Sequence, residues 1–181
     1  MDIPLKHLVG TVSLMSLIIA TGFSYTMITT YIETEVQRRQ LHQVAEYMAL
    51  NLVELMSLVN FSNYSSVEPV FKVLKLPKEL GGRPYIIELL NETSQGRGCY
   101  VRARLADRED VEESSPLPVN ALEAGLELRT QGEGAIPIMG GSGGMIQWSG
   151  RVYGGAGDIV VWGLMDGSTQ TAGIGVWRKG G

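Results

Sequence analysis

Hydrophobic and polar positions divide the chain into three regimes. From Leu8 to Ile32 no residue is charged. These 25 positions would make a helix of roughly 38 Å at 1.5 Å per residue, against a hydrocarbon core of about 30 Å. The first regime therefore predicts a helix that crosses a bilayer with some tilt. A cleaved secretory signal has a shorter apolar region and ends at small residues. Here the apolar run continues through Met27, Ile28, Tyr31 and Ile32 into a charged helical pattern, so a retained signal-anchor is expected. Ser16, Ala20 and Ser24 recur at a spacing of four and would share one face. Small residues at that spacing let helices approach closely in lipid, which makes these three candidates for helix–helix packing. Tyr25 and Tyr31 sit where an interfacial aromatic belt would lie.

The second regime is an amphipathic continuation. No glycine or proline occurs between Phe23 and Glu68, and Glu33 to Asn60 is rich in helix formers. Leu41, Ala45, Met48, Leu52, Leu55 and Val59 follow an a/d heptad spacing, widened by Val44, Ala49, Val53 and Met56. A stripe that wide suits packing against a globular body rather than a thin two-stranded seam. One helix from about Leu8 to Val59 is predicted. Leu41, Met48, Leu52, Leu55 and Val59 are expected to pack on the domain that follows.

Beyond Ser66 the pattern becomes short apolar runs punctuated by turn residues. The expected strands are Val70–Leu76, Tyr85–Leu90, Cys99–Leu105, Leu126–Arg129, Ala135–Met139, Met145–Tyr153, Ile159–Leu164 and Ala172–Arg178. Val101, Ala103 and Leu105 alternate with Tyr100, Arg102 and Arg104, the period of a sheet with one wet face. Short connections favour antiparallel meanders. Leu117 to Ala124 is ambiguous, with Asn120 able to cap a brief helical turn. The expected class is α+β: one long N-terminal helix packed on an antiparallel sheet or sandwich-like head. Its divisions are 1–33, a cytoplasmic tip and transmembrane helix; 34–60, an amphipathic extension; and 61–181, one extracytoplasmic β-rich domain.

Composition narrows the chemistry. Residues 61–181 carry 12 Lys/Arg and 14 Asp/Glu, so the domain lacks the basic excess of a nucleic-acid binder. The two histidines, His7 and His42, both precede the β region. A Ser-His-Asp or Cys-His arrangement and a His-based metal site within the β domain are thereby excluded. The single cysteine, Cys99, begins a strand and reads as a small core residue. Asp107, Glu109, Asp110, Glu112 and Glu113 form an acidic cluster without the glycine and spacing of a calcium loop, and a solvated loop is expected. Gly140 to Gly144 resembles a phosphate cradle but has no following lysine or helix, so a tight turn is expected. No catalytic residue, metal or cofactor is expected.

Charge flanking the span does not orient it, since Lys6 lies on one side and Arg38 and Arg39 on the other. Three of the five asparagines, Asn60, Asn63 and Asn91, stand in N-glycosylation sequons. They are glycosylation candidates and favour the C-terminal domain outside the cell.

The whole layout resembles archaeal type IV pilin-like proteins. Leu76-Pro77, Gly81-Gly82 and Tyr85-Ile86-Ile87-Glu88-Leu89 are similar to a leucine-proline, glycine, tyrosine-isoleucine-leucine pattern of such ectodomains. Gly143-Gly144-Met145-Ile146-Gln147-Trp148 is similar to their later glycine-pair strand. The resemblance implies a hydrophobic N-terminal helix whose amphipathic half packs on a β-rich head. The chain departs from the family at the prepilin cleavage pattern, because Lys6 is separated from Gly10 by His7, Leu8 and Val9. The expected function is a pilin-like structural or accessory surface subunit, with the lipid bilayer and other pilin-like helices or copies of itself as partners. The alternative is a lone membrane-tethered module that recognises a surface polymer or partner protein, with Trp148, Trp162 and Trp177 on a surface.

Overall fold

A computed structural model of the chain describes residues 3–61, 69–92, 98–117, 126–138, 143–166 and 169–179. Helix α1 runs from Ile3 to Phe61, 59 residues without a break. It begins earlier than the apolar run because Pro4 falls in its first turn, where a missing N–H costs nothing. The chain divides into two compact units, Met1–Gln37 and Arg38–Gly181.

The first unit is helix alone. Its large apolar side chains from Leu8 to Ile32 are 54% to 72% exposed. Hydroxyls within this stretch donate back to carbonyls one turn earlier, as Thr21 to Leu17 at 2.8 Å and Thr30 to Thr26 at 2.9 Å. Such bonds satisfy the polar groups inside the helix. This is one helix long and apolar enough to cross a membrane.

The second unit is α+β. After the helical residues come β1 (Val70–Leu74), β2 (Tyr85–Glu92), β3 (Gly98–Leu105), β4 (Glu112–Pro116) and β5 (Leu126–Leu128). They are followed by β6 (Glu133–Ile138), β7 (Gly144–Ser149), β8 (Arg151–Tyr153), β9 (Asp158–Asp166) and β10 (Thr169–Lys179). One sheet has the order β1-β9-β10-β7-β6, with β5 also on β10; the other has β4-β3-β2-β8. All pairs are antiparallel except β5 with β10. The order is not the simple meander that short connections favour: β1 pairs with β9, far along the chain.

The heptad stripe lies in the main core. Leu41, Met48 and Leu52 are fully buried, and Leu55 and Val59 nearly so. They share one cluster with Tyr85, Ile87, Leu89, Val101, Ala103 and Leu105 of the four-stranded sheet. The same cluster takes in Leu74, Ile159, Val161, Ala172 and Ile174 of the six-stranded sheet. The helix seats closely at Gly163, where an added Cβ would stand 2.7 Å from Leu55 Cδ2 and 3.0 Å from Val59 Cγ2. Burial alternates strictly along β3, with Cys99, Val101, Ala103 and Leu105 inward.

Three details differ from the sequence reading. Met145–Tyr153 is two strands in different sheets, parted at Gly150. Glu112 and Glu113 belong to a strand, β4, rather than to a solvated loop. Gly81 and Gly82, at φ of 58° and 75°, make a two-residue hairpin turn closed by Leu80 and Arg83, the left-handed geometry that favours glycine. Of the expected Gly140–Gly144 turn, residues 140–142 lie outside the described residues, as does most of the ambiguous stretch 117–124.

Candidate functional site

Two surfaces of the second unit gather polar or aromatic chemistry, and both are outer faces of sheets. The first centres on Glu88. Its run, Tyr85-Ile86-Ile87-Glu88-Leu89-Leu90, is apolar apart from this carboxylate, and the side chain is 5% exposed. Register sets Glu88 of β2 directly opposite Arg102 of β3 and Arg151 of β8. Arg102 donates to Oε2 from Nη2 at 2.7 Å and from Nε at 3.1 Å. Arg151 Nε stands 2.7 Å from Oε1, and Arg104 Nη2 reaches the same oxygen at 3.4 Å. Burial works to raise the Glu88 pKa, but the hydrogen bonds and charges of Arg102 and Arg104 hold it below the usual carboxylate range.

Carboxylates of the acidic cluster complete this network. Glu112 lies 3.5 Å from Arg102 and Glu109 3.1 Å from Arg104. Asp107 pairs with Arg83 at 2.7 Å, Asp110 with Arg108 at 2.9 Å, and Glu113 stands 4.0 Å from His42. Asp107, Glu109 and Asp110 are thus exposed in a loop, as expected, while each of the five carboxylates also faces an arginine or His42. Among the described residues, no three His, Cys, Asp or Glu side chains are placed to hold a metal ion. A shallow groove beside Glu88 is lined by Arg102, Thr130, Glu133, Ser149 and Arg151. With its charges already matched, the cluster can fix strand register, and it offers no unpaired nucleophile or base.

The second surface is the outer face of the six-stranded sheet. Trp162, Ile146 and Val160 are buried there, and Phe71, Ile136, Ile138, Trp148, Leu164 and Trp177 pack half-buried around them. Each indole lies over a glycine on a neighbouring strand. An added Cβ would stand 2.8 Å from the Trp162 ring at Gly173, 2.6 Å from the Trp148 ring at Gly134 and 2.8 Å from the Trp177 ring at Gly144. Trp148 and Trp162 meet at 6.1 Å between centroids, Phe71 and Trp177 at 6.3 Å. Arg129 lies 5.8 Å above Trp148 and Lys179 6.0 Å above Trp177, each within cation–π range.

The sequence candidates are dispersed. Ser16, Ala20 and Ser24 are exposed on α1. Asn60 falls in the last turn of α1, Asn91 is exposed near the end of β2, and Asn63 lies outside the described residues. The Glu88 cluster was missed because its members come from three strands and only register unites them. The lone Glu in an apolar strand was the available signal. No protein-family model, curated protein or solved structure matches the chain.

Proposed function

We propose that this chain is a membrane-anchored, non-catalytic subunit of a cell surface, pilin-like in build. In this reading Leu8–Ile32 lies in the bilayer, the N-terminus is cytoplasmic and residues 61–181 lie outside, glycosylated on at least one of Asn60, Asn63 and Asn91. One observation carries the reading. A single helix has every large apolar side chain exposed between Leu8 and Ile32, then buries Leu41, Met48, Leu52, Leu55 and Val59 among two sheets. The first stretch leaves an apolar surface that water does not tolerate and lipid or neighbouring helices do. Protease added to intact cells should remove the head while the first 33 residues stay with the membrane. Protection of the head would reverse the orientation. Purified full-length protein should then assemble with other copies or related helices into filaments visible by electron microscopy.

A second reading is a lone tethered binding module for a surface polymer or partner protein. The gathering of Trp148, Trp162 and Trp177 on one outer face favours it. Against it, Trp162 is 2% exposed and cations of the chain itself lie over the other two rings. A protein that stays monomeric in detergent and binds cell-surface polymer would support this second reading over the first.

A further inference from the structure

The six-stranded sheet is wider than the four-stranded sheet that shares its core. Even-numbered residues of β10 point inward: Ala172 and Ile174 lie in the main core, and Val176 packs against it. Across the strands, Val176 stands opposite Gln147 of β7, and Gln147 opposite Ala135 of β6. All three share the inner face, yet Ala135 and Gln147 are exposed, and Met145 on the same face is 45% exposed. The inner face is thus uncovered along β6 and β7. There it floors an open trough of about 610 Å³, a volume within the roughly 300 to 1,000 Å³ of small-molecule sites. Tyr153 of β8 stands on the rim. Arg178 lies at one end, in the row of Met145 and Pro137, and Glu133 at the other, in the row of Ser149. Positions 133 and 137 of β6 are about 13 Å apart along an extended strand. Salt screens exposed charges over about 8 Å, so the two ends act separately. The side chains of Glu133, Gln147, Tyr153 and Arg178 make no hydrogen bond or ion pair with a described residue.

We propose that this trough binds a chain of carboxylated sugars, the hexuronates of an acidic polysaccharide. Arg178 takes a sugar carboxylate, which its planar fork of donors matches. Gln147 and Glu133 meet sugar hydroxyls, the amide donating and accepting and the carboxylate accepting. The aliphatic floor of Ala135 and Val176 and the apolar body of Tyr153 take the C–H faces of the sugar rings. An open trough suits a chain that lies along it, where an enclosed cavity would suit a single small molecule. A peptide is the poorer occupant. It would bind by adding a strand to β8, and outward backbone groups there are already spent. The Arg151 N–H donates to Ser149 Oγ at 3.2 Å, and the Tyr153 carbonyl accepts from the Ala156 N–H at 3.2 Å. The site depends neither on helix packing nor on which way the head faces, so its failure would leave the proposed function standing.

Isothermal titration of the full-length protein in detergent tests this site. Oligogalacturonate or hyaluronan oligosaccharides should bind. Maltooligosaccharide of matched length, which lacks carboxylates, should bind roughly ten-fold more weakly, the loss of one charge-assisted contact. Arg178→Gln should lower affinity for the uronate oligomers by about the same factor and remove the preference over the neutral one, with the melting temperature unchanged. Gln147→Ala should weaken acidic and neutral oligomers alike. Lys179→Gln, on the opposite face of β10, should leave binding as it is. Failure of both uronate oligomers to bind, equal binding of poly-glutamate, affinity that survives Arg178→Gln, or an equal loss through Lys179→Gln would each overturn the proposal.

Discussion

The two sheets of the head bury their inner faces on the same helix, yet they finish their outer faces in opposite ways. The four-stranded sheet closes with charge: Glu88 sits among Arg102, Arg104 and Arg151, and glutamates of β4 and the preceding turn satisfy the arginines from outside. The six-stranded sheet closes with aromatic area, three indoles each laid over a cross-strand glycine. The difference teaches where stability resides. Indole burial is a transfer term that pH does not titrate and salt does not screen. A partly hydrated ion cluster recovers little beyond its own desolvation and depends on protonation state. The aromatic face should therefore be the more sensitive to mutation, and the charged face the more sensitive to solution conditions.

Truncating an indole should produce the largest effect. Trp162→Ala should destabilise the head by about 3 to 5 kcal/mol, the range for emptying a buried aromatic site. Gly173→Ala drives a methyl to 2.8 Å from that ring and should cost about 1 to 3 kcal/mol by overpacking. Urea melts measure both; losses under about 1 kcal/mol would show that the aromatic face contributes area without stability.

Next comes the charged face. Glu88→Gln leaves Arg102, Arg104 and Arg151 without their shared anion, at a cost of about 1 to 3 kcal/mol. Water reaches the 30% and 52% exposed side chains of Arg102 and Arg151 and keeps the loss from growing further. The sign of the pH dependence follows from the lowered Glu88 pKa. Its contribution is full above the unfolded value near 4.5 and is lost as pH falls through the lower folded value. Melting temperatures of wild type and Glu88→Gln should therefore converge in acid. A gap that stays constant down to strong acid would mean that the carboxylate acts through shape rather than charge.

The smallest effect concerns the inner face that both sheets share. Tyr85 is fully buried there, donates to the Pro77 carbonyl at 2.6 Å, and burial pushes its pKa up to about 12. Tyr85→Phe should cost about 0.5 to 1.5 kcal/mol. In the wild type, the stability that Tyr85 contributes is full below 10 and lost as pH rises through about 12, because the unfolded phenol ionises first. The substitution should flatten the alkaline limb of stability against pH. An unchanged limb would assign it to other groups.

Much of this architecture could be read along the chain, and the parts that could not share one cause. The helix was legible because its two periodicities, an uncharged apolar run and a heptad stripe, are local. The alternation of β3 was legible for the same reason. β4 was not: Glu112-Glu113-Ser114-Ser115-Pro116 looks like a loop until β3 supplies arginines and a ladder beside it. The break at Gly150 was hidden because an added Cβ there would collide with the Thr130 backbone, and Thr130 is 20 positions away in sequence. Nothing along the chain marks Glu88 as the centre of a cluster, because its arginines stand 14, 16 and 63 positions later.

Sequence by itself determined the elements that depend on near neighbours. These are the uninterrupted helix, its apolar first stretch and the amphipathic stripe. Tertiary structure alone decided which strands meet. It placed β1 beside β9, divided Met145–Tyr153 between two sheets, laid β5 parallel to β10, and turned isolated charges and tryptophans into two finished faces. The physical reason is that helical hydrogen bonds close within four residues, so a local pattern suffices to specify them. Strand hydrogen bonds close with a partner that any distance of chain can separate, and side-chain clusters inherit their members from that pairing.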